Sequence, residues 1–82
     1  MKIRVVFYGG LKQHVGAKEQ MLELSRNSIT VRELADLLRV QHPALNPRLG
    51  TVAYVVNDEM VGLDYGLKDG DEAGLLPPVS GG

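Results

Sequence analysis

The 82-residue chain contains no cysteine and no tryptophan. Without thiols it has no disulfide framework, no thiolate nucleophile and no sulfur-rich metal site. If the chain handles reactive sulfur, no side chain can carry it, and only the terminal carboxylate remains as a covalent attachment point of that kind. An excess of charge of either sign is missing too. Nine Lys and Arg stand against ten Asp and Glu, a net charge of −1. The basic residues, from Lys2 to Lys68, are scattered rather than clustered, which argues against a nucleic-acid partner. No apolar run is long enough to span a bilayer, and no secretory signal with a basic start and a long apolar stretch is present. The expectation is a cytoplasmic protein with no membrane partner. The composition, 44% hydrophobic and 23% charged, is that of a soluble globular domain. Eighty-two residues permit one small core and no second one.

What is present alternates and then changes period. In Lys2 to Tyr8, Ile3, Val5 and Phe7 fall on one face and Lys2, Arg4, Val6 and Tyr8 on the other, a strand. Gly9-Gly10 is a turn or bulge. It is no phosphate loop, because no Gly-Lys-Ser/Thr follows at the required spacing. Leu11 to Gly16 reads as a connection, and Glu19 to Ser25 as a second strand, antiparallel to the first through a short hairpin link. Thr30 and Glu33 have capping-box spacing, so a helix starts there. Val31, Leu34, Ala35 and Leu38 then form an apolar stripe at i, i+3, i+4 and i+7. Arg32, Glu33, Asp36 and Arg39 take the wet side, and Pro43 ends the helix.

Ala44 to Gly50 is a proline-interrupted connection. The continuous apolar run in Thr51 to Asn57 suits a strand inside a sheet. Asn57-Asp58-Glu59 turns into a short strand, Met60 to Leu63. Asp69-Gly70-Asp71 turns into the last strand, Glu72 to Leu76, which Pro77 stops. The order is β-β-α-β-β-β, an α+β domain with a mixed sheet of about five strands. One main helix crosses one sheet face in a right-handed connection.

Chemistry inside this frame is sparse. His14 and His42 are far apart and lack companions at metal-ligand spacing, so they read as surface histidines. Asp64, Asp69, Asp71 and Glu72 lack the twelve-residue calcium pattern and read as turn residues. Ser25, Ser28 and Ser80 have no organised base and acid for a hydrolytic triad. By strand parity Tyr8, Met60 and Leu76 point away from the helix. Scattered, they need no explanation; contiguous, they would mark a protein partner.

The last six residues, Pro77-Pro78-Val79-Ser80-Gly81-Gly82, remain. The prolines remove two backbone donors and end the ladder. Val79 to Gly82, fully extended, reaches roughly 14 Å. Two glycines without Cβ can enter a slot too narrow for any other residue. The terminal carboxylate is ionised at neutral pH and can act as an oxygen nucleophile. On the residues alone the stretch is either a reactive terminus or a frayed end left by expression.

Leu67-Lys68-Asp69-Gly70-Asp71-Glu72, followed by Pro77-Pro78-Val79-Ser80-Gly81-Gly82, resembles the C-terminal signature of the MoaD-like sulfur carriers. These are the small subunits of molybdopterin synthases, related to ThiS. Lys2 to Tyr8 and Val55-Val56-Asn57 with its turn look like that family too, so the likeness covers essentially the whole chain. It implies a ubiquitin-like β-grasp fold with the first and last strands parallel and adjacent at the sheet centre. Residues 1–77 would then be the domain, and 78–82 a flexible reactive tail.

The resemblance also implies a carrier that is not catalytic by itself and binds no cofactor or metal. Gly82 would be adenylated by a ubiquitin-activating-type adenylyltransferase that uses ATP and magnesium, and then thiocarboxylated by a sulfur donor. Gly81 matches the slender approach to it. The sulfur would go to a pterin precursor in the synthase large subunit, forming the molybdopterin dithiolene. Val79 and Ser80 would line the entry, and Tyr8, Met60, Leu76, Pro77 and Pro78 would meet partners. Leu75 and Leu76 stand where that family often has aromatics, which implies a less aromatic interface. Alternatives are a carrier for thiamine or tRNA thiolation, a ubiquitin-like modifier joined through Gly82 to lysines, and an interaction module with an inert tail.

Overall fold

In the computed structural model, residues 1–78 are described. Two strands at the sheet centre start the chain's architecture and finish it. β1 (Lys2–Phe7) and β7 (Glu72–Leu76) lie side by side and parallel, with Val5 opposite Ala73 and Phe7 opposite Leu75. β2 (Glu19–Glu23) pairs antiparallel with β1, and β4 (Ala53–Val56) antiparallel with β7. β5 (Glu59–Val61) closes the far edge, giving the order β2-β1-β7-β4-β5. This is the mixed five-stranded β-grasp sheet expected from the resemblance.

The main helix, α2 (Val31–Gln41), forms where the period changes. Thr30 caps it: its hydroxyl accepts from Glu33 N at 3.1 Å, and its own N–H donates to Glu33 Oε1 at 2.9 Å. These bonds satisfy donors that a helix start leaves open. The Thr30 N–H first, then the Arg26 guanidinium, hold the Glu33 carboxyl below its ordinary value of 4.5. Val31, Leu34, Ala35 and Leu38 are buried against the β1 and β7 core residues Ile3, Val5, Phe7, Ala73 and Leu75. β2 and β4 run the same way with β1 and β7 between them, so the chain must cross the sheet, and α2 is that crossing.

The structure differs from the sequence reading in the connections. Leu11 to Gly16 holds a helical turn, α1 (Leu11–Val15), closed by Gly16 at φ 87°. The link between β1 and β2 is therefore helical and not a tight hairpin. Pro43–Leu45 is a 3-10 turn running into α3 (Asn46–Leu49), each with proline in its first turn, where a missing N–H costs nothing. Leu11, Leu45 and Leu49 are buried, and this is why those segments coil inward. A two-stranded sheet, β3 (Ile29–Thr30) with β6 (Gly66–Leu67), escapes the strand count because two residues carry no period.

Candidate functional site

The open face of the sheet follows from register. Since Ala73 and Leu75 are in the core, Gly74 and Leu76 face the other way. Gly74 stands between Val6 of β1 and Val55 of β4, and Val55 is opposite Met60 of β5. Leu76 is opposite Ala53 one step further along. These residues make an apolar band across four strands, on the side α2 does not cover. Tyr8 is 43% exposed and Met60 71%, while Leu76 is half-buried. Strand pairing thus brings the three sequence-selected residues onto one face, near the end where β7 runs out.

Two glycines shape that end, and sequence reasoning did not single out the job of either. A Cβ on Gly74 would lie 2.7 Å from Tyr8 Cε2, so the phenol ring rests on bare backbone there. Any side chain at 74 must move the ring. Gly9 has φ 56°, and a Cβ on it would lie 2.8 Å from Pro77 Cγ. Its left-handed backbone is the kind glycine supplies cheaply, and its missing Cβ leaves the seat for Pro77. The signal in the sequence was the Gly9-Gly10 pair, legible only as punctuation.

Below this seat, Gly10, Leu11, Arg48, Thr51, Pro77 and Pro78 line a recess of about 90 Å³. Arg48 sets a positive charge beside the root of the terminal stretch. Pro77 is partly buried and Pro78 exposed. Val79, Ser80, Gly81 and Gly82, the residues expected to carry the chemistry, lie outside the described residues.

The acidic run before β7 turns out to be a brace. Asp71, the one buried charged residue among those described, accepts from Lys68 N at 2.8 Å and Asn57 Nδ2 at 3.0 Å. Asn57 Oδ1 accepts in turn from Glu72 N at 3.1 Å, and Asp69 from Lys2 N at 2.7 Å. The turn is thereby tied to both the β4–β5 hairpin and the start of β1. These acids hold the sheet end opposite the terminus. Among the described residues no three His, Cys, Asp or Glu are grouped to hold a metal ion. His42 Nε2 lies 2.8 Å from Gln20 Oε1, and its ring meets Phe7 edge-on at 6.0 Å. His14 is exposed on α1. Among the described residues no helix is long and apolar enough to cross a membrane.

Against this geometry the comparisons with known proteins are consistent. The model of the ThiS family matches residues 5–82. A molybdopterin synthase sulfur carrier subunit from Chlamydomonas reinhardtii is 36% identical over 84 residues, covering all of both chains. In a solved complex of subunits 1 and 2 of molybdopterin-converting factor from Helicobacter pylori, the matching chain is 32% identical. It superposes with a TM-score of 0.74, all of both chains covered. The small archaeal modifier protein 1 of Methanosarcina acetivorans superposes with a TM-score of 0.81 at 27% identity, covering 99% of this chain and 96% of that one.

Proposed function

The chain belongs to the ThiS family, and on that premise we propose that it is a sulfur carrier, the small subunit of a molybdopterin synthase, working through the carboxylate of Gly82. The observation that carries this reading is the seat at the end of β7. Pro77 rests on Gly9 beside the exposed Tyr8, so the last described residues, Pro77 and Pro78, leave the sheet centre next to an apolar face.

Residues 1–77 then serve as a grip and 78–82 as the reactive tail. A carboxylate oxygen of Gly82 attacks the α-phosphorus of ATP held with magnesium in an activating enzyme, and pyrophosphate leaves. The acyl adenylate is an electrophile that the free carboxylate is not. Hydrosulfide from a sulfur donor then attacks the acyl carbon, the C–O bond to AMP breaks and AMP leaves, and loss of the S–H proton leaves the terminus as a thiocarboxylate. Glycines at 81 and 82 offer no side chain to obstruct a narrow active site. The partner that receives the sulfur is a synthase large subunit, a reading supported by the Helicobacter pylori complex of the two subunits. Tyr8, Met60, Leu76, Pro77 and Pro78 form the docking face, and Val79 and Ser80 line the entry. The carrier itself binds neither ATP nor metal and acts in the cytoplasm.

A second reading is favoured by the likeness to the archaeal modifier. In it the same acyl adenylate is passed to a lysine amine of a target protein. Incubation with ATP, magnesium, an activating enzyme and a sulfide source separates the two. The carrier gains sulfur in place of one oxygen at Gly82. The modifier yields ladders of larger conjugates that vanish when Gly82 is deleted.

A further inference from the structure

The basic residues are scattered along the sequence, but the fold sorts them. Arg4 pairs with Glu72, Arg26 with Glu33, Arg32 with Asp64 and Arg39 with Asp36. The other five, Lys2, Lys12, Lys18, Arg48 and Lys68, have no acidic side chain in salt-bridge reach among the described residues. Lys2 and Lys68 lie at the brace end, where their backbone N–H groups donate to Asp69 and Asp71. Lys12, Lys18 and Arg48 lie at the opposite end, round the root of the terminal stretch. Lys12 stands on α1, whose first residue, Leu11, lines the recess with Pro77 and Pro78, and Arg48 lines the same recess. The Lys18 carbonyl accepts from Phe7 N at 2.8 Å, which sets Lys18 beside the last residue of β1. All three are exposed.

The acids are sorted the other way. Residues 1–18 and 37–57 contain no Asp or Glu, and α1, the 3-10 turn and α3 all come from those stretches. Asp58 and Glu59 lie at the β4–β5 turn, Glu23 opposite Lys2, and Asp69, Asp71 and Glu72 in the brace. Among the described residues Glu19, across from Val6, is the one unpaired acid at the exit end. With a net charge of −1 the chain is nearly neutral as a whole, yet positive at one end and negative at the other. Like charges held at one rim without counter-charges repel one another, and an opposing acidic surface relieves that. Three cations are few for a phosphate backbone, and the acids elsewhere repel one. The partner that fits is an acidic protein surface.

We infer that Lys12, Lys18 and Arg48 form a basic collar that meets an acidic rim on the activating enzyme, round the opening that admits the last residues. This rests on the activating step proposed above and adds what captures and orients the carrier for it. Exposed charge pairs at a rim are weakly held, so they act on capture more than on hold. The large subunit keeps this chain as its own subunit, whereas the activating enzyme captures it afresh at each loading, and fast capture is what a collar supplies. The polarity of the molecule also turns the exit end toward an acidic surface before contact.

Stopped-flow association of the full chain with the activating enzyme of the same genome, in salt from about 0.02 M to about 0.5 M, tests it. The parent's association rate should fall roughly tenfold across that range, and its dissociation rate should change much less. The triple variant Lys12→Gln, Lys18→Gln, Arg48→Gln should start roughly tenfold slower in low salt and respond little to added salt. It should melt at the parent's temperature. Lys68→Gln, which removes one charge at the other end, should associate like the parent, and Arg48→Gln more slowly. A triple variant as fast as the parent overturns the collar, as does equal slowing by Lys68→Gln and Arg48→Gln. A parent that supports ATP–pyrophosphate exchange yet associates at a salt-independent rate overturns the collar and spares the activating step. No exchange at all removes the activating step, and the collar falls with it. Transfer RNA retained by the parent and not by the triple variant makes the occupant RNA and overturns the assignment to a protein. Salt-sensitive oligomers of the free chain that the triple variant lacks make it the acidic end of a second copy, with the same consequence.

Discussion

At the scale of single residues, the site is made as much by what glycine omits as by what other side chains supply. The Tyr8 ring comes down onto β7 because Gly74 has no Cβ, and Pro77 is seated because Gly9 has none. In Gly74→Ala the ring, exposed and free to swing, must lift off. Little stability is lost, while the docking face is deformed. Calorimetry should show affinity for the large subunit falling at least about fivefold, with the melting temperature close to the parent's. Combined with Tyr8→Ala the losses should not add, since both remove one contact. Parent-like binding by Gly74→Ala would mean the resting place of the ring is irrelevant.

Glu33 gives a prediction with a sign. Its carboxyl is held below 4.5, chiefly by the Thr30 N–H. A depressed folded-state value stabilises the fold above the unfolded value, and that contribution disappears as pH falls through the folded one. Glu33→Gln keeps an oxygen for the cap but no charge. Urea melts should show it less stable than the parent at neutral pH, with the gap narrowing as pH falls below about 4.5. A gap independent of pH would contradict the role of the charge.

At the scale of elements, sequence and structure part company in an instructive way. α2 was legible from its box and its stripe, β1 from alternation, β4 from an unbroken apolar run, and β7 from the turn before it and the proline after it. All four are long enough to leave a mark in the sequence. α1, the 3-10 turn and α3 are not: each is a single turn or little more, held by one buried leucine, Leu11, Leu45 or Leu49. Their cause is tertiary, so no local pattern announces it. The Asp69-Gly70-Asp71 run was read as turn chemistry and also carried the family likeness. In the structure its role is bracing, at the sheet end away from the terminus.

Two substitutions test how these elements are held. Leu38→Ala removes a fully buried side chain between α2 and the sheet and should cost about 2–5 kcal/mol in urea unfolding. Asp71→Ala strands the Lys68 N–H and the Asn57 amide and should cost about 1–3 kcal/mol, without altering activation at the far end. A drop in activation larger than the stability loss explains would place the acidic turn in a functional role.

At the scale of the whole molecule, the proposed function makes the fold a device for handing its last residues to other proteins. The core, the cap and the brace all lie within residues 1–77, and the open face adjoins the end of β7. Pairing of β1 with β7 was implied by the resemblance and not by spacing, because strand order is set by long-range contacts that one sequence does not display. For the terminal carboxylate, the absent thiols and the two closing glycines left a reactive end and a frayed one both open, and the proposed sulfur chemistry came from the family resemblance.

One measurement bears most directly on this: intact mass of the chain, and of the same chain with one alanine added after Gly82, following incubation with ATP, magnesium, the activating enzyme of the same genome and a sulfide source. The expected result is exchange of one oxygen for sulfur in the parent, located at Gly82 by fragmentation, and none in the extended chain. The extended chain should unfold at the parent's temperature. Sulfur on the extended chain, or a parent whose mass never changes, would contradict the terminal carboxylate as the working group.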